Sequence, residues 1–407
     1  MEGKLIMEFD EMYDEDYLSA PTPLPSFHHC DYSEWTPSLS IIPAVYLLAF
    51  LVGSLGNGLV LWAYLDRPDG RQNIGTSLAL ADLCFLVTLP LWSVYTALGY
   101  HWPFGQPLCQ ISSFLTALNM YASVFSLSVL SVERYWVLTG RRHSGHHPQQ
   151  SFPTRAALIL AGVWLLSCIL ALPGLLLRSE TVHPTHPGLF FLSCQMDYSM
   201  LIGEDLNETE REHAEMWWAA ILSLKSTLIG FLLPLIILLI CYCSLAKLLN
   251  KHFGRGPRPD RKRQRRLLRV IVTLVLSFFL CWLPLHVNKT VAVLLGFGFI
   301  PYSCALDTVI LSAQPYVTCI AYLNSCLNPL LYAACDPAFR KRCRGALFFL
   351  KKNNNSKHTK KNKTWQGYTN QNGIQYRNNS THSNYTNSCA AWLATITDDI
   401  CRKHHGP

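Results

Sequence analysis

Charge is scarce in this sequence. Of 407 residues only 15% are charged while 50% are hydrophobic, where a soluble domain carries about 25% charged residues. The deficit is uneven: long segments hold almost no charge and the linkers between them hold most of it, which argues against an ordinary soluble globule. A basic-then-apolar cleavable leader is also missing, because the amino-terminal residues Glu8, Asp10, Glu11, Asp14, Glu15 and Asp16 are acidic. The first apolar segment is therefore expected to act as its own membrane signal. There is no internal repeat, which counts against a transporter built from inverted halves. The apolar segments hold no His/Glu metal set and no Ser/His pair, so a membrane enzyme lacks its chemistry. Fifteen cysteines are present, but most lie inside apolar segments, where a thiol behaves as a small hydrophobe.

Long apolar runs dominate what remains. Seven stretches, at 39–65, 73–97, 106–138, 154–177, 217–249, 264–296 and 304–333, reach the roughly 20 residues that a hydrocarbon core of about 30 Å requires. Inside lipid the backbone must satisfy its own hydrogen bonds, so these are helices. The expected fold class is an all-α membrane protein, a seven-helix transmembrane bundle. Arg141, Arg142 and Arg155 lie between the third and fourth runs. Lys251, Arg255, Arg258, Arg261, Lys262, Arg263, Arg265 and Arg266 lie between the fifth and sixth, and Arg340, Lys341, Arg342 and Arg344 follow the seventh. Such linkers stay in the cytoplasm. The alternate linkers carry Glu180, Asp197, Glu204, Asp205, Glu208, Glu210, Glu212 and Glu215. These signs put the amino terminus outside and the carboxyl terminus inside. The domain reading is an acidic arm (1–38), a membrane bundle (39–335), a short amphipathic helix (336–350) and a polar tail (351–407). Among the sequons, Asn207-Glu208-Thr209 is outside and is the better glycan acceptor, whereas those in the tail are cytoplasmic. Asn288-Lys289-Thr290 sits at the mouth of the sixth run, where access is doubtful.

Polar residues inside these runs are costly and read as functional. Asp82 is mid-run in Leu80-Ala81-Asp82-Leu83, and Asn57, Asn119, Ser123, Asn324, Ser325 and Asn328 lie at comparable depths. One carboxylate among neutral oxygens suits a small hard cation or internal water; helix-to-helix hydrogen bonding is the plainer alternative. Glu133-Arg134-Tyr135 closes the third run. Pro234, Pro284 and Pro329 interrupt the last three, each removing a backbone bond and permitting a kink. Two of them sit in Cys281-Trp282-Leu283-Pro284 and Asn328-Pro329-Leu330-Leu331-Tyr332.

In order and spacing, Gly56-Asn57, Asp82, Cys109, Glu133-Arg134-Tyr135, Trp164, Pro234, Trp282-Leu283-Pro284 and Asn328-Pro329 with Tyr332 resemble the rhodopsin-like class of G protein-coupled receptors, over residues 39–350. The resemblance implies a Cys109–Cys194 disulfide, a sodium ion at Asp82 with Asn119, Ser123 and Asn324, and Trp282 as a switch beneath the ligand. It assigns Glu133, Arg134, Tyr135, Tyr242, Asn328, Pro329 and Tyr332 to the rearrangement that opens the cytoplasmic face to a heterotrimeric G protein and to arrestin. Asp336-Pro337-Ala338-Phe339-Arg340 would begin an eighth helix, with Cys343 a candidate palmitoyl site.

Within that class, Val87-Thr88-Leu89-Pro90-Leu91-Trp92, Asn119-Met120-Tyr121-Ala122-Ser123 and Met196-Asp197-Tyr198-Ser199-Met200 resemble the apelin-receptor group, as does Cys30-Asp31-Tyr32-Ser33-Glu34-Trp35. That likeness implies a second disulfide, Cys30–Cys304, and a cationic peptide ligand at a plasma-membrane receptor. It implies anionic contacts at Asp31, Glu34, Asp197 and Asp307, aromatic walls at Tyr46, Trp92 and Tyr316, and cations at Arg178 and Lys289 for the peptide's carboxyl end. Local pairing of Arg178 with Glu180 or Asp197 is the competing reading. The group's first-loop acids are absent, with Gly99, Tyr100 and His101 in their place, so the peptide could be apela or another. Receptors for angiotensin-, bradykinin- or chemokine-like peptides are the runner-up, and a transporter is a further alternative. Residues 308–333 contain no lysine, which excludes a retinal Schiff base. No nucleic-acid partner is expected.

Overall fold

The computed structural model describes residues 38–65, 73–138, 152–186, 189–203, 205–251, 258–335 and 339–341. Seven helical segments there are long and apolar enough to cross a membrane. The first span is α1 (Ile41–Leu65), and the second is two helices in line, α2 (Asn73–Leu86) and α3 (Leu89–Ala97). The break falls at Val87 and Thr88, just before Pro90, whose ring cannot donate to the preceding turn. The Thr88 hydroxyl instead closes the turn on the Phe85 carbonyl at 2.8 Å. The third span is α4 (Gln106–Leu138) and the fourth α5 (Phe152–Leu176). An antiparallel hairpin of β1 (Arg178–His186) and β2 (Leu189–Met196) follows, with Glu180 opposite Cys194. The fifth span joins α6 (Glu208–Thr227) to α7 (Leu233–Lys251) through a wide turn at Leu228–Leu232. The sixth is α8 (Arg258–Gly296), with Pro284 inside, and the seventh is α9 (Cys304–Cys335), with Pro315 and Pro329 inside.

The helix ends fall where hydropathy puts them, with two exceptions, of which one is the sixth span, whose helix starts at Arg258 rather than 264. The fifth span starts at Glu208 rather than 217, because Asn207 builds a capping box. Its Oδ1 accepts from the Glu210 amide at 2.9 Å and its own amide donates to the Glu210 carboxylate. Acids in the first turn also suit the positive end of the helix dipole. A polar helical extension of this kind is invisible to a search for apolar runs. Of the expected eighth helix, only residues 339–341 are described, and they are helical. Phe339 is buried near Tyr332, and the Arg340 guanidinium caps the carbonyls of Ala333 and Ala334. Cys343 and the tail lie outside the described residues.

The main core gathers on the third span. Tyr121, Val124 and Leu127 meet Phe231 and Leu238 of the fifth span and Leu274, Phe278 and Trp282 of the sixth. A second cluster joins the first, second and seventh spans through Ile42, Phe85, Leu86, Cys319 and Cys326. The fourth span packs on the third and scarcely touches the fifth.

Without a hydrophobic driving force between helices in lipid, close approach depends on small residues. A Cβ at Gly56 would lie 2.6 Å from Cγ and 2.9 Å from Cβ of Pro329, a ring that cannot swing aside, whereas one at Gly58 would meet nothing. Gly56→Ala should therefore lower stability by about 1–3 kcal/mol, in the range for overpacking, while Gly58→Ala leaves the melting temperature of the purified protein unchanged. Equal melting of the two variants would refute the contact.

Candidate functional site

At the hairpin end of the bundle, covalent and polar ties fix one rigid wall. A disulfide joins Cys109, near the start of the third span, to Cys194 of β2. Gln106, also on that first turn, donates to the Arg178 carbonyl at 2.9 Å and accepts from the Glu180 amide. The first-loop Trp102 is fully buried, donates its indole to the Gly105 carbonyl at 3.0 Å, and packs on Trp92, Tyr95 and Phe104. Its backbone amide donates to Leu192 of β2 at 2.8 Å, and the Leu192 amide donates to His101 Nδ1 at 3.2 Å. Gly99, Tyr100 and Gly105 take positive φ to make these turns, a cost that only glycine escapes.

Several expected ligand contacts lie at this end, in altered roles. Trp92 is half-buried, and its buried Nε1 has no protein partner. Arg178 donates to the Cys194 carbonyl at 2.8 Å, and no ion pair joins it to Glu180 or Asp197 among the described residues. Burial raises the Tyr198 phenol above its ordinary range, an effect opposed by the nearby Arg178 charge and reinforced by Glu215. Asp197 closes a turn by accepting from the Ser199 amide at 2.9 Å. Asp307 is only 6% exposed, with the Tyr302 hydroxyl 3.2 Å from its Oδ2, so it is less open than an anionic contact was expected to be. Lys289 is half-buried at the sixth-span mouth.

Tyr46 is 4% exposed and packs on Tyr322, 5.6 Å between centroids, within the core of the first and seventh spans. Tyr316 is 44% exposed, 12 residues into the seventh span. Asn288 donates to Gln314 at 2.8 Å and to the Ile310 carbonyl at 3.1 Å, so its sequon is consumed between helices. Asp31, Glu34 and Cys30 lie outside the described residues. Cys304 is disulfide-bonded, to a cysteine that also lies outside them.

Deeper in the bundle, Trp282 stacks on Phe278 at 5.8 Å and lies 6.2 Å from the His286 ring. His286 Nδ1 meets the Thr227 hydroxyl at 3.0 Å, and His286 Nε2 and Trp282 Nε1 are buried without protein partners. Below them Asp82 is fully buried. Asn119 Nδ2 donates to its Oδ1 at 2.9 Å and Asn328 Nδ2 to its Oδ2 at 2.8 Å. Ser325 donates to Asn119 Oδ1 at 3.3 Å, and Asn57 reaches the Ser325 carbonyl at 2.9 Å. Ser123 is buried 3.5 Å from Asn119 Nδ2. Asn324 is buried in the same region, and Oδ1 of both Asn324 and Asn328 lacks a protein partner. Carboxylate, hydroxyl and unengaged amide oxygens are the donor set of a hard cation. Asn328 is the member of this cluster that the sodium expectation omitted.

At the opposite end, the Tyr242 hydroxyl lies 2.9 Å from Ser131 Oγ and ties the fifth span to the third. Glu133 and Tyr135 are half-buried and Tyr332 is buried. The Arg134 side chain lies outside what is described.

Lys225 in α6 escaped the sequence reading altogether. A hydropathy window averages one lysine away; its position among Leu222, Leu224 and Leu228 was the available signal.

Gln106 holds both ends of one peptide segment of β1, so Gln106→Leu leaves the Glu180 amide without its acceptor. At about 1–3 kcal/mol for a lost buried bond, deuterium exchange over residues 178–182 should rise roughly tenfold with the Cys109–Cys194 disulfide intact. Unchanged exchange would show that the disulfide alone holds the hairpin.

Comparison with known proteins agrees with this architecture. The family model for 7 transmembrane receptor (rhodopsin family) matches residues 56–332. Apelin receptor A of Danio rerio is 46% identical over 319 residues, which covers 77% of this chain and 84% of that protein. Apelin receptor B of Danio rerio is 45% identical over 317 residues, with the same shares. Type-1 angiotensin II receptor B of Xenopus laevis is 34% identical over 307 residues, covering 74% and 77%. With seven apolar spans in the matching order, the chain belongs to the rhodopsin family of seven-transmembrane receptors, as a multi-pass membrane receptor and not an enzyme.

Proposed function

We propose that this receptor binds a cationic peptide of the apelin type at the hairpin end and activates a heterotrimeric G protein of the inhibitory class at the other. The observation that carries the reading is identity of 45–46% to two apelin receptors across 77% of the chain. The residues at the hairpin end are compatible with it. Asp197 and Asp307 supply negative charge that would draw a basic peptide. Among the described residues Arg178 donates to one carbonyl, which leaves other N–H groups for a peptide carboxylate. The glycan acceptor of this reading is Asn207, which is exposed and whose Oδ1 serves the cap.

One observation favours a peptide that differs from apelin, such as apela. His101 stands where the apelin receptors carry an acid, and it is spent on the Leu192 amide and the Phe191 ring. Each missing acidic contact weakens the grip by roughly 1–2 kcal/mol. In displacement assays on receptor-bearing membranes, apelin or apela should displace tracer. If both are silent and an angiotensin-like peptide displaces, the ligand reading is wrong.

Activation in this scheme is a swing of the sixth span about Pro284, which releases Arg134 and resets the Tyr242 and Tyr332 contacts for G protein and arrestin. Arg134→Ala should abolish nucleotide exchange on added G protein and change peptide affinity by less than about threefold, a small differential effect of the kind expected when only one state is touched. Normal exchange in that variant would contradict the scheme.

A sodium ion fits the Asp82 cluster, where Asp82, Ser123, Asn324 and Asn328 would hold it. When bound it supplies one positive charge that stabilises the packed second, third and seventh spans. Replacing choline by sodium at constant ionic strength should raise the melting temperature of the wild-type protein and leave Asp82→Asn unmoved. Identical shifts in both would remove the ion from Asp82.

A further inference from the structure

Lys225 carries a charge into the membrane at a place the peptide site and the Asp82 cluster do not use. It lies eight residues past Trp217 in α6, about 12 Å along the helix at 1.5 Å per residue. Its Nζ donates to the Leu170 carbonyl of the fourth span at 3.0 Å and stands 5.9 Å from the centroid of the Tyr121 ring on the third. Leu170 is seven residues short of Leu177, about 10 Å from the hairpin at the same rise, so the depths agree. No carboxylate pairs with Lys225 among the described residues. A lysine that merely snorkels extends to water along its own helix; this one reaches across to a neighbouring helix.

The surroundings form a cleft. The fourth and fifth spans scarcely touch, and the Tyr121 ring of the third faces the Lys225 ammonium that bridges them. Ile221 and Leu228, one turn either side of Lys225, and Leu166, one turn from Leu170, are exposed and share those faces. An ammonium has three N–H donors, and one is used. What the cleft offers is one positive charge, two spare donors and an apolar trough continuing toward the membrane centre past Leu228 and Leu166.

We propose that this cleft binds a long-chain carboxylate, a free fatty acid of the leaflet on the hairpin side, with its head on Lys225 and its chain along Leu228 and Leu166. Two carboxylate oxygens match two spare donors, and one negative charge matches the one cation. A phosphate monoester head would bring more charge than a single lysine neutralises in lipid. A two-tailed lipid would need a wider trough than one gap between adjacent helices. The site is independent of which peptide the receptor takes.

Purified full-length receptor in nanodiscs of zwitterionic phosphatidylcholine, equilibrated with trace diazirine-bearing palmitic acid and irradiated, tests this. Adducts should concentrate on residues 157–176 and 208–232, and excess oleate should suppress them. Lys225→Met should cut the yield at least fivefold, while Lys225→Arg retains at least half. Adducts spread evenly over all spans, or a yield untouched by oleate in the wild-type protein, would overturn the site whatever the variants do. Suppression by lysophosphatidic acid at far lower concentration than oleate would overturn the carboxylate assignment. A Lys225→Met yield equal to wild type would remove the lysine from the site.

Discussion

The Asp82 carboxylate is fully buried and forms no ion pair among the described residues, and the bundle is arranged around keeping it so. A bare carboxylate in a low-dielectric interior is expensive unless hydrogen bonds or a cation compensate it. Compensation comes from two amides on different helices, Asn119 of the third span and Asn328 of the seventh. The two amides hold the second, third and seventh spans to a single register, and Asn57 extends the grip to the first through the Ser325 carbonyl. The Gly56–Pro329 approach follows from that register, since Asn57 and Asn328 are the chain neighbours of those residues. A charge that demands partners thus sets how closely four helices approach.

Legibility of all this in the sequence varied with the physics involved. Span number and order were plain, because lipid imposes a length and forbids unsatisfied backbone. The residues of the Asp82 cluster were plain too, since intramembrane polar groups stand out against leucine. Their partners were not. Asn324 and Asn328 differ by one helical turn, and only packing decides which amide reaches the carboxylate. The packing of Tyr46 on Tyr322 was not legible for a similar reason: position along a helix does not reveal which face meets a neighbour. The polar start of the fifth span was hidden because a capping box, not hydropathy, sustains it. Lys225 was hidden by averaging. Asn288 is the reverse case, a sequon that reads as accessible until its amide is found between the sixth and seventh spans.

The hairpin end is stiffened by different means. Water is available there, so burial of charge no longer dictates geometry, and covalent bonds and local turns take over. One disulfide, the paired hydrogen bonds of Gln106 and the buried Trp102 tie β1, β2 and the first loop to the second and third spans. A pre-organised wall lowers the entropy lost when a flexible peptide docks against it. The wall also explains why His101 is not a free recognition residue, for its Nδ1 is already spent on the hairpin.

Beneath the stiff outer wall and within the Asp82 cluster, the bundle leaves polar atoms unmatched. Of the eight side-chain atoms buried without protein partners among the described residues, Trp282 Nε1, His286 Nε2, Asn324 Oδ1 and Asn328 Oδ1 lie on the proline-kinked sixth and seventh spans. Each such group costs about 1–3 kcal/mol if nothing satisfies it. Folding alone gives no reason to retain four of them on two adjacent, proline-kinked helices. A packing that is incomplete in one arrangement and completed in another does give a reason, because a modest gain at these atoms can shift the balance between two states of a bistable element. Pro284 sits between Trp282 and His286 and Pro329 directly follows Asn328, so the unmatched atoms flank the points where the helices bend most readily. The second and third spans, pinned by Asp82 and by the hairpin, then serve as the fixed frame against which those bends act.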